Sequence, residues 1–495
     1  MNTNIPINMT TYIQNYKLHT VNNVPLKISF ELHNIPLPLA NSLRRSCSSR
    51  IPTVAFDDTW DDDIETRSII INKNTSGLHN EFLSHRLGLL PLNMNHESLK
   101  ISTEFNKSSS RRIYSFVNDY VPIFSLKKKN NIETKPYLDE LGMLNVTTLD
   151  FTISNASFPI TDFFIADPYI DNKEDAYIII DKLKSNFNNE DDGEELDLIC
   201  KPTIGIGWTN ARYDPTGTVT FGFKTDESSV DDIFKKKMEY MNNERLNKNL
   251  EVYSEVEEKQ LRTSFNLLDK ERVFKRDQYG YPEIIEMSIE TIGFMKPTQI
   301  LLSGLHILKL LLSDIKNSID IELVSNEVRL NNISKINYIR SSIYENGWTI
   351  RLFDEDHTLG NLIGKYSRTL FNKTEDDLMK YISYKMDHPL INNVDIILVP
   401  HLNRAKYSEW LSKNYFESGN NKTFNDLGIN MNIINDMTDD IFYKFISTLV
   451  LLNTINNILI DINKLISESM ELTKEIDPIF IINDNESYIN KYGDL

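Results

Sequence analysis

Cysteine is nearly absent from this sequence, and glycine and proline are sparse. The 495 residues include only 2 Cys, 17 Gly and 17 Pro. Cys47 and Cys200 alone cannot form a disulfide framework or a cysteine-ligated zinc site, which indicates a reducing, intracellular setting. The low glycine and proline content, with 40% hydrophobic and 25% charged residues, is typical of folded globular domains rather than of low-complexity chains.

Long hydrophobic runs are missing as well. Residues 1–17 contain no basic segment followed by an apolar stretch, so no signal peptide is expected. The most apolar stretch, residues 449–460, is interrupted by Asn453, Asn456 and Asn457. It is too short and too polar to span a bilayer, so we expect a soluble chain with no membrane partner.

Positive charge is in deficit, because 53 Lys and Arg stand against 71 Asp and Glu, a formal net charge of −18. This balance argues against a protein that binds nucleic acid with its whole surface. The length predicts roughly three domains.

Hydrophobic periodicity predicts both strands and helices. Residues 26–33 alternate apolar and polar side chains, as in a strand with one buried face. Further strands are predicted at 68–73, 149–154, 176–181, 218–223, 282–294 and 395–400. Residues 80–90, 297–315 and 441–466 carry apolar side chains at helical spacing, and the latter two segments are clearly amphipathic.

An internal repeat links the two ends of the chain. When Leu39 is aligned with Leu359, a period-two strand precedes both, and "LANSL" falls on "LGNLI" at a helix start. Each copy is followed later by an amphipathic helix. Two such units can bury their apolar helix faces against each other around a pseudo-two-fold axis.

The stretch "DEDHTLGNLIGKY" at 354–366 allows two interpretations. The acids and histidine of Asp354-Glu355-Asp356-His357 could form the metal site of a metal-dependent hydrolase. Adjacent residues on a turning backbone point in different directions, however, and a metal site needs ligands that converge from separate elements. Carboxylates just before a helix can instead cap its free N–H groups. We favour this architectural interpretation and keep the hydrolase as the alternative.

Several motifs resemble one known family. "LANSLRR", "IPTVAFD" (51–57) and "NTSGLHNEFLSHRLGLLPL" (74–92) resemble the third-largest subunit of eukaryotic RNA polymerase II and its archaeal equivalent. "DEDHTLGNLI" and "YKMDHPLINNVDIILV" (384–399) resemble the small subunit with which it dimerises. The bacterial alpha subunit, a homodimer, carries a similar helix start. Both subunits in one polypeptide are similar to the fused form of large cytoplasmic DNA viruses.

The resemblance implies a non-catalytic subunit of a DNA-directed RNA polymerase. Such subunits form an alpha-like platform on which the second-largest subunit docks, followed by the largest, which carries the catalytic metal. Small zinc-binding polymerase subunits are implied as further partners, and DNA is reached only through the complex. The implied location is intracellular, and would be the viral factory in the host cytoplasm and the virion if the chain is viral.

The sequence also departs from the family. Many relatives bind zinc or an iron–sulfur cluster through a cysteine loop after "HRLGLLPL", but residues 93–125 here contain no cysteine. No cofactor or metal is therefore expected. A family segment similar to His-Ala-Lys-Trp reads Asn210-Ala211-Arg212-Tyr213 in this chain.

The expected fold is α+β, with two alpha-subunit-type dimerisation domains paired within one chain and a β-rich inserted domain. The predicted division is 15–50 and 280–325 for the first dimerisation domain, 51–225 for the β-rich domain, 226–279 for a charged helical insertion, and 335–475 for the second dimerisation domain, with 401–438 as its insertion.

Candidate site residues fall into two groups. Those predicted to contact a large subunit are Arg44, Arg45, Glu81, His85, Arg86 and Arg212. Those predicted to form the internal dimerisation interface are Leu39, Asn41, Leu43, Leu301, Leu305, Leu308, Leu359, Asn361, Leu362, Leu449, Leu452, Ile455 and Leu459. Asn41 and Asn361 are expected to bond the local backbone.

Overall fold

Strands and helices follow one another along the whole chain. The computed structural model describes residues 11–59, 67–106, 111–131, 142–154, 158–172, 176–186, 193–277, 280–324, 327–331, 335–373, 377–401, 403–412 and 431–483. Below, the first half denotes the described residues of 11–324 and the second half those of 335–483.

The helices differ widely in length, and the two longest are the late helix of each half. They are α1 (Leu37–Ser49), α2 (Asn80–Gly88), α3 (Val230–Asn247), α4 (Glu255–Leu268), α5 (Pro297–Asn317), α6 (His357–Phe371), α7 (Arg404–Leu411), α8 (Met431–Asp436) and α9 (Asp439–Thr473).

The strands are mostly short. They are β1 (Ile13–Val21), β2 (Val24–His33), β3 (Pro52–Phe56), β4 (Ile69–Asn74), β5 (Ile101–Asn106), β6 (Arg111–Phe116), β7 (Phe124–Lys129), β8 (Met143–Thr147), β9 (Phe151–Ile153), β10 (Ile179–Lys184), β11 (Glu195–Cys200), β12 (Pro202–Ile206), β13 (Thr216–Phe223), β14 (Ile284–Thr291), β15 (Asp320–Val324), β16 (Glu327–Asn331), β17 (Ile336–Arg340), β18 (Trp348–Phe353), β19 (Met379–Lys385), β20 (Asn393–Pro400) and β21 (Phe480–Ile482).

One four-stranded antiparallel sheet of the first half corresponds in strand order to the four-stranded sheet of the second half. The first is ordered β1-β2-β14-β13 and the second β17-β18-β20-β19. In both, the second strand leads into a helix, α1 or α6, and the third strand precedes a long helix, α5 or α9. The predicted alternation is confirmed in both helix-leading strands, since Ile28, Phe30 and Leu32 of β2 are buried, as are the equivalent apolar residues of β18.

The four helices α1, α5, α6 and α9 form the layer between these sheets. Helix α1 contacts α5 and α6, and helix α9 also contacts α5 and α6. Gly304 permits the approach of α1 to α5, because a Cβ there would lie 2.6 Å from Cys47 Sγ. Helices α5 and α9 are long and apolar enough to cross a membrane, but 72% and 67% of their apolar windows are buried inside the protein. They are core helices.

The β-rich region between α1 and β13 has its own aromatic centre. Its largest sheet is ordered β4-β11-β7-β9, and β3 pairs with β12 and β8 with β10. Phe124 makes edge contacts with Phe56, Phe151 and Phe163 at centroid distances of 5.5, 6.1 and 5.2 Å. This ring cluster continues into the main core.

Helices α3 and α4 form a separate hairpin. They enclose a small core made of Val230, Phe234, Met238, Phe265 and Val273. Residues 413–430, within the insertion predicted at 401–438, lie outside the described residues, and α7 and α8 flank them.

Candidate functional site

The residues Asp354, Glu355 and Asp356, here called the acidic turn, connect strand β18 to helix α6. Asp354 has a φ of 57°, which turns the backbone sharply at the end of the strand. Asp356 is the N-cap residue, and its Oδ1 accepts the Thr358 N–H at 2.8 Å. This bond satisfies one of the free N–H groups at the helix start, as the architectural interpretation expects.

Helix α1 of the first half docks on this turn through cations. Arg45 Nη2 lies 2.8 Å from Asp356 Oδ2, and Arg50 Nη2 lies 3.1 Å from the same oxygen. Arg45 Nε also donates to Thr358 Oγ1 at 2.7 Å, and the Ser42 hydroxyl donates to the Thr358 carbonyl at 3.2 Å. One turn of α6 is thereby bound by one face of α1.

The other two acids are paired with different cations. Glu355 Oε1 lies 2.5 Å from Lys335 Nζ, and both side chains are buried. Asp354 Oδ2 lies 2.9 Å from the Nε of Arg111 in β6, at the solvent-exposed rim. Within the described part of the chain, no group of three or more His, Cys, Asp or Glu side chains could hold a metal ion. A divalent ion at the acidic turn would have to displace these cations, so the geometry does not favour the hydrolase alternative.

Burial and neighbouring charges shift the pKa values of the two buried acids, Glu355 and Asp356, in opposite directions. Burial alone would raise the pKa of Asp356, but Arg50, the Thr358 hydroxyl and amide, and Arg45 together lower that pKa to about 2. Burial raises the pKa of Glu355, although Lys335 and Arg50 oppose that rise. Of these two buried acids, Asp356 is therefore the one whose ionised form the protein stabilises.

A second set of polar contacts joins β1 of the first half to α9. The Asp461 carboxylate accepts the Tyr12 hydroxyl at 2.9 Å and the Tyr366 hydroxyl at 2.6 Å. Glu468 accepts the Ile13 N–H at 2.8 Å, and Lys464 Nζ lies 3.8 Å from the centre of the Tyr12 ring. Burial, with the Asp461 charge, raises the pKa of Tyr12 and of Tyr366, so both phenols stay protonated donors.

After α9 the chain returns to the first half. Strand β21 pairs in parallel with β5, and the Ile479 N–H donates to Ser303 Oγ at 3.0 Å. The β5–β6 hairpin is itself fixed to α5, because Arg112 bonds both oxygens of Asp314 at 2.7 and 2.8 Å and both side chains are buried. The two halves are thus joined by helix packing, ion pairs and a shared sheet.

The residues predicted for the internal interface lie in or beside the helix layer. Leu459 is half-buried and packs against the continuous core, to which both halves contribute; the other predicted leucines and Ile455 are buried in it. Asn41 accepts a bond from Arg44 Nε at 3.0 Å, so its contact is local but involves a side chain rather than the expected backbone. Asn361 lies half-buried on α6.

Two of the residues predicted to contact a large subunit make contacts within this chain. Arg45 contacts the second half of its own chain, as described above. The Arg212 side chain is only 6% exposed, donates to the Phe56 carbonyl at 3.0 Å and pairs with Asp57 and Asp58. Both guanidinium groups therefore serve the fold of this chain. Arg44, bonded to Asn41, is half-buried.

The remaining predicted partner residues lie on helix α2. Glu81 and His85 are exposed. Arg86 is also exposed overall, but its guanidinium donates to the carbonyls of Ile180 and Ile179 in β10 at 3.0 and 2.8 Å. Arg86 thus fixes α2 to its neighbouring strand.

Sequence reasoning missed several residues that join the halves. Arg50, Arg111, Tyr12 and Asp461 each contact a group in the other half, and Lys335 pairs with Glu355 within the second half. No local spacing marks them, because each pairing depends on the tertiary arrangement. Arg50 also stacks its guanidinium 3.7 Å from the centre of the Trp208 ring.

Two RNA polymerase subunits resemble this chain over most of their own lengths. It is 26% identical over 314 residues to DNA-directed RNA polymerases II, IV and V subunit 3 of Arabidopsis thaliana, covering 59% of this chain and 87% of that protein. It is 25% identical over 345 residues to DNA-directed RNA polymerase II subunit RPB3 of Schizosaccharomyces pombe, covering 66% and 96%. A shorter match, 36% identical over 85 residues, is to subunit rpac1 of RNA polymerases I and III of Dictyostelium discoideum, covering 17% and 22%.

The sequence profile of the RNA polymerase Rpb3/Rpb11 dimerisation domain matches residues 29–312, more than half of the chain. The match begins within β2 and ends within α5, and it includes α1 and the β-rich region. The chain therefore belongs to the Rpb3/Rpb11 dimerisation-domain family, whose members are non-catalytic subunits of RNA polymerase.

Proposed function

We propose that this chain is an assembly subunit of a multisubunit DNA-directed RNA polymerase in which two subunits are fused. The first half corresponds to the third-largest subunit and the second half to its small dimerisation partner. Two observations support the fusion. The alignments cover 87% and 96% of the Arabidopsis and Schizosaccharomyces relatives but only 59% and 66% of this chain, so a third or more of the chain lies outside them. The second half also repeats the strand order and helix start of the first.

In this proposal the two halves are dimerisation domains related by a pseudo-two-fold axis. The observation that carries it is the helix layer, in which α1 contacts α6 and α5 contacts α9. Residues 15–50 and 280–325 form one domain, interrupted by the β-rich domain 51–225 and the helical insertion 226–279. Residues 335–475 form the other, with 401–438 as its insertion.

The paired halves serve as the platform on which the second-largest subunit docks, and then the largest. Small zinc-binding polymerase subunits are further proposed partners, and DNA is contacted only through the complex. The proposed location is intracellular. The acidic net charge of −18 suits a subunit positioned away from the nucleic-acid cleft.

Helix α2 offers the docking surface for the second-largest subunit. Phe82 on the helix is 68% exposed, and Leu89, which directly follows the helix, is 55% exposed. Glu81 and His85 lie beside them. Large exposed apolar side chains next to charged ones are typical of protein interfaces, and the Arg86 contacts hold α2 rigidly for this purpose.

Co-expression with the second-largest subunit of the same source tests the proposal. The intact chain is expected to co-purify as a stoichiometric complex through a salt wash. Phe82→Asp should weaken this complex, because a carboxylate would be buried in an apolar contact. Leu267→Asp, at a residue 78% exposed on α4, is the matched control and should leave it intact. Failure of the intact chain to co-purify would count against the function itself.

A further inference from the structure

The hairpin of helices α3 and α4 has a far end that lacks a core of its own. The hairpin interrupts the first-half sheet between the paired strands β13 and β14, and its small core lies near the sheet. From residue 239 to residue 264 no residue is buried. Ordering this much chain costs conformational entropy, which the burial of apolar surface normally offsets. The far end therefore lacks the packing that usually stabilises such a structure.

Polar contacts nevertheless fix the turn at this end. Residues 246–258, here called the hairpin tip, include the end of α3, the connection and the first turn of α4. The Arg245 guanidinium donates to the Glu251 carbonyl at 2.6 Å, and its Cζ lies 4.3 Å from the centre of the Tyr253 ring. The Asn242 side chain accepts the Tyr253 N–H at 3.0 Å. The tip thus has a defined shape without a ligand.

The hairpin tip presents apolar side chains to the solvent. Four of its residues are more than half exposed, namely Leu246 at 55%, Leu250 at 52%, Val252 at 51% and Val256 at 67%. Single exposed apolar side chains are common on protein surfaces, but several in one short segment mark an interaction site. The tip therefore has the composition of a surface that another molecule covers.

Negative charge accompanies these apolar side chains. Residues 249–258 contain four glutamates and no lysine, arginine or histidine. Glu251, Glu255 and Glu258 are exposed, and within the described part of the chain their carboxylates have no ion-pair partner. This charge repels the phosphates of nucleic acids and acidic lipids, and it disfavours a second copy of a chain whose net charge is −18. The complementary partner is a protein segment with lysine or arginine beside apolar residues.

We propose that the hairpin tip binds a basic amphipathic helix of another protein. The apolar face of that helix packs on the four exposed apolar side chains, and its flanking lysine or arginine residues pair with the three free glutamates. A third helix supplies the packing that the far end lacks, because helices bury their apolar stripes against other helices. This interaction goes beyond the proposed assembly function and does not depend on helix α2.

Fluorescence anisotropy with the full chain tests the proposal. The main probe is a labelled peptide of about 18 residues that carries leucine and lysine at the spacing of an amphipathic helix. One comparison peptide has glutamate in place of lysine, and another has serine in place of leucine. The leucine–lysine peptide should bind saturably, and both comparison peptides should bind at least about tenfold more weakly, since each lacks one of the two complementary features.

Substitutions in the tip test its apolar contacts. Leu250→Ser with Val256→Ser should weaken binding of the leucine–lysine peptide roughly tenfold or more, because two apolar contacts are lost. Leu267→Ser with Leu268→Ser, at residues 78% and 69% exposed at the other end of α4, is the matched control and should bind the peptide as the wild type does.

A second pair of variants tests the charges. Glu255→Gln with Glu258→Gln should weaken binding several-fold at roughly 50 mM salt, and the effect should shrink at roughly 500 mM salt because salt screens exposed charges. Asp232→Asn with Glu239→Gln removes the same charge from exposed positions on α3 and should have a smaller effect at either salt concentration.

Several results would overturn the proposal. These are no saturable binding of the leucine–lysine peptide, equal binding of the three peptides, or control variants that weaken binding as much as the tip variants do. Light scattering tests the other occupant, since a dimer that Leu250→Ser with Val256→Ser abolishes would assign the tip to a second copy of this chain. None of these results bears on co-purification through helix α2, so the two proposals fail separately.

Discussion

Three neighbouring carboxylates in the acidic turn face three different sources of positive charge. Asp354 meets Arg111, Glu355 meets Lys335, and Asp356 meets Arg45 and Arg50. The side chains diverge because successive residues on a turning backbone point in different directions. A cluster that is compact in sequence is thus dispersed in space, and it joins α1, β6 and the second half at one point.

Removing the charge of Asp356 should destabilise the fold strongly. In Asp356→Asn the amide can still cap α6, but buried Arg50 loses its anionic partner, so we expect a loss of about 3 kcal/mol in the free energy of unfolding. Urea denaturation measures this. Asp354→Asn is the control, since its partner Arg111 is 64% exposed and the expected loss is below about 1 kcal/mol. Equal losses of unfolding free energy in the two variants would contradict the claim that the Asp356 ion pairs contribute more to stability than the Asp354 pair.

Acidic pH should remove the stability that the ionised Asp356 side chain contributes to the folded state. The pKa of Asp356 is about 2 in the folded chain against an ordinary value of 3.8. A lowered pKa stabilises the folded state above the ordinary value, and that stabilisation fades as the pH falls towards about 2. The difference in unfolding free energy between the wild type and Asp356→Asn should therefore narrow between about pH 4 and pH 2. A constant difference across that range would show that the charge of Asp356 is not responsible.

At the level of single elements, a strong hydrophobic periodicity was sufficient to predict a helix or strand from the sequence, whereas a weak periodicity did not give its correct bounds. The amphipathic patterns predicted α5 and α9, although α9 continues to Thr473, beyond the expected end at 466. Its last turns include Glu468, which accepts the backbone N–H of Ile13 in β1. No local sequence pattern predicts this contact. The strand expected at 176–181 instead spans Ile179–Lys184, where its pairing with β8 fixes the register.

The short edge strands could not be predicted for a related reason. Strand β1 exposes most of its side chains, so it lacks the alternation of a strand with one buried face. Strand β21 has three residues and exists through its pairing with β5. Such strands owe their structure to neighbours distant in sequence, whereas β2 and β18 carry the pattern of a buried face in their own residues.

The contact between α1 and α5 depends on the absence of a side chain at Gly304. Alanine usually stabilises a helix by about 1 kcal/mol relative to glycine. Gly304→Ala should nevertheless destabilise this protein, since the new Cβ would lie 2.6 Å from Cys47 Sγ. Thermal unfolding should show a lowered midpoint in Gly304→Ala and recovery in the double variant with Cys47→Ala. A midpoint raised by Gly304→Ala alone would contradict this close packing.

For the molecule as a whole, the connection between the halves should be dispensable once folding is complete. A protease site inserted at 332–334 would separate the chain after the first half. The cleaved pieces should still elute as one species in size-exclusion chromatography, because the helix layer, the Asp356 ion pairs and the β21–β5 pairing all remain. The same cleavage in Leu305→Asp, which places a carboxylate at a fully buried position of α5, should release separate or aggregated pieces. Separation of the wild-type pieces would contradict the packing described above.

The pairing of Phe480 with Ile101 also has a consequence for biosynthesis. A ribosome makes β5 long before it makes β21, so one edge of β5 lacks its neighbour during most of translation. Contacts this distant in sequence form slowly and late, and an unpaired strand edge is prone to association with other chains. A nascent polypeptide that stops short of residue 480 keeps that edge open, so prematurely terminated products would be recognisable as aggregation-prone substrates for chaperones and proteases.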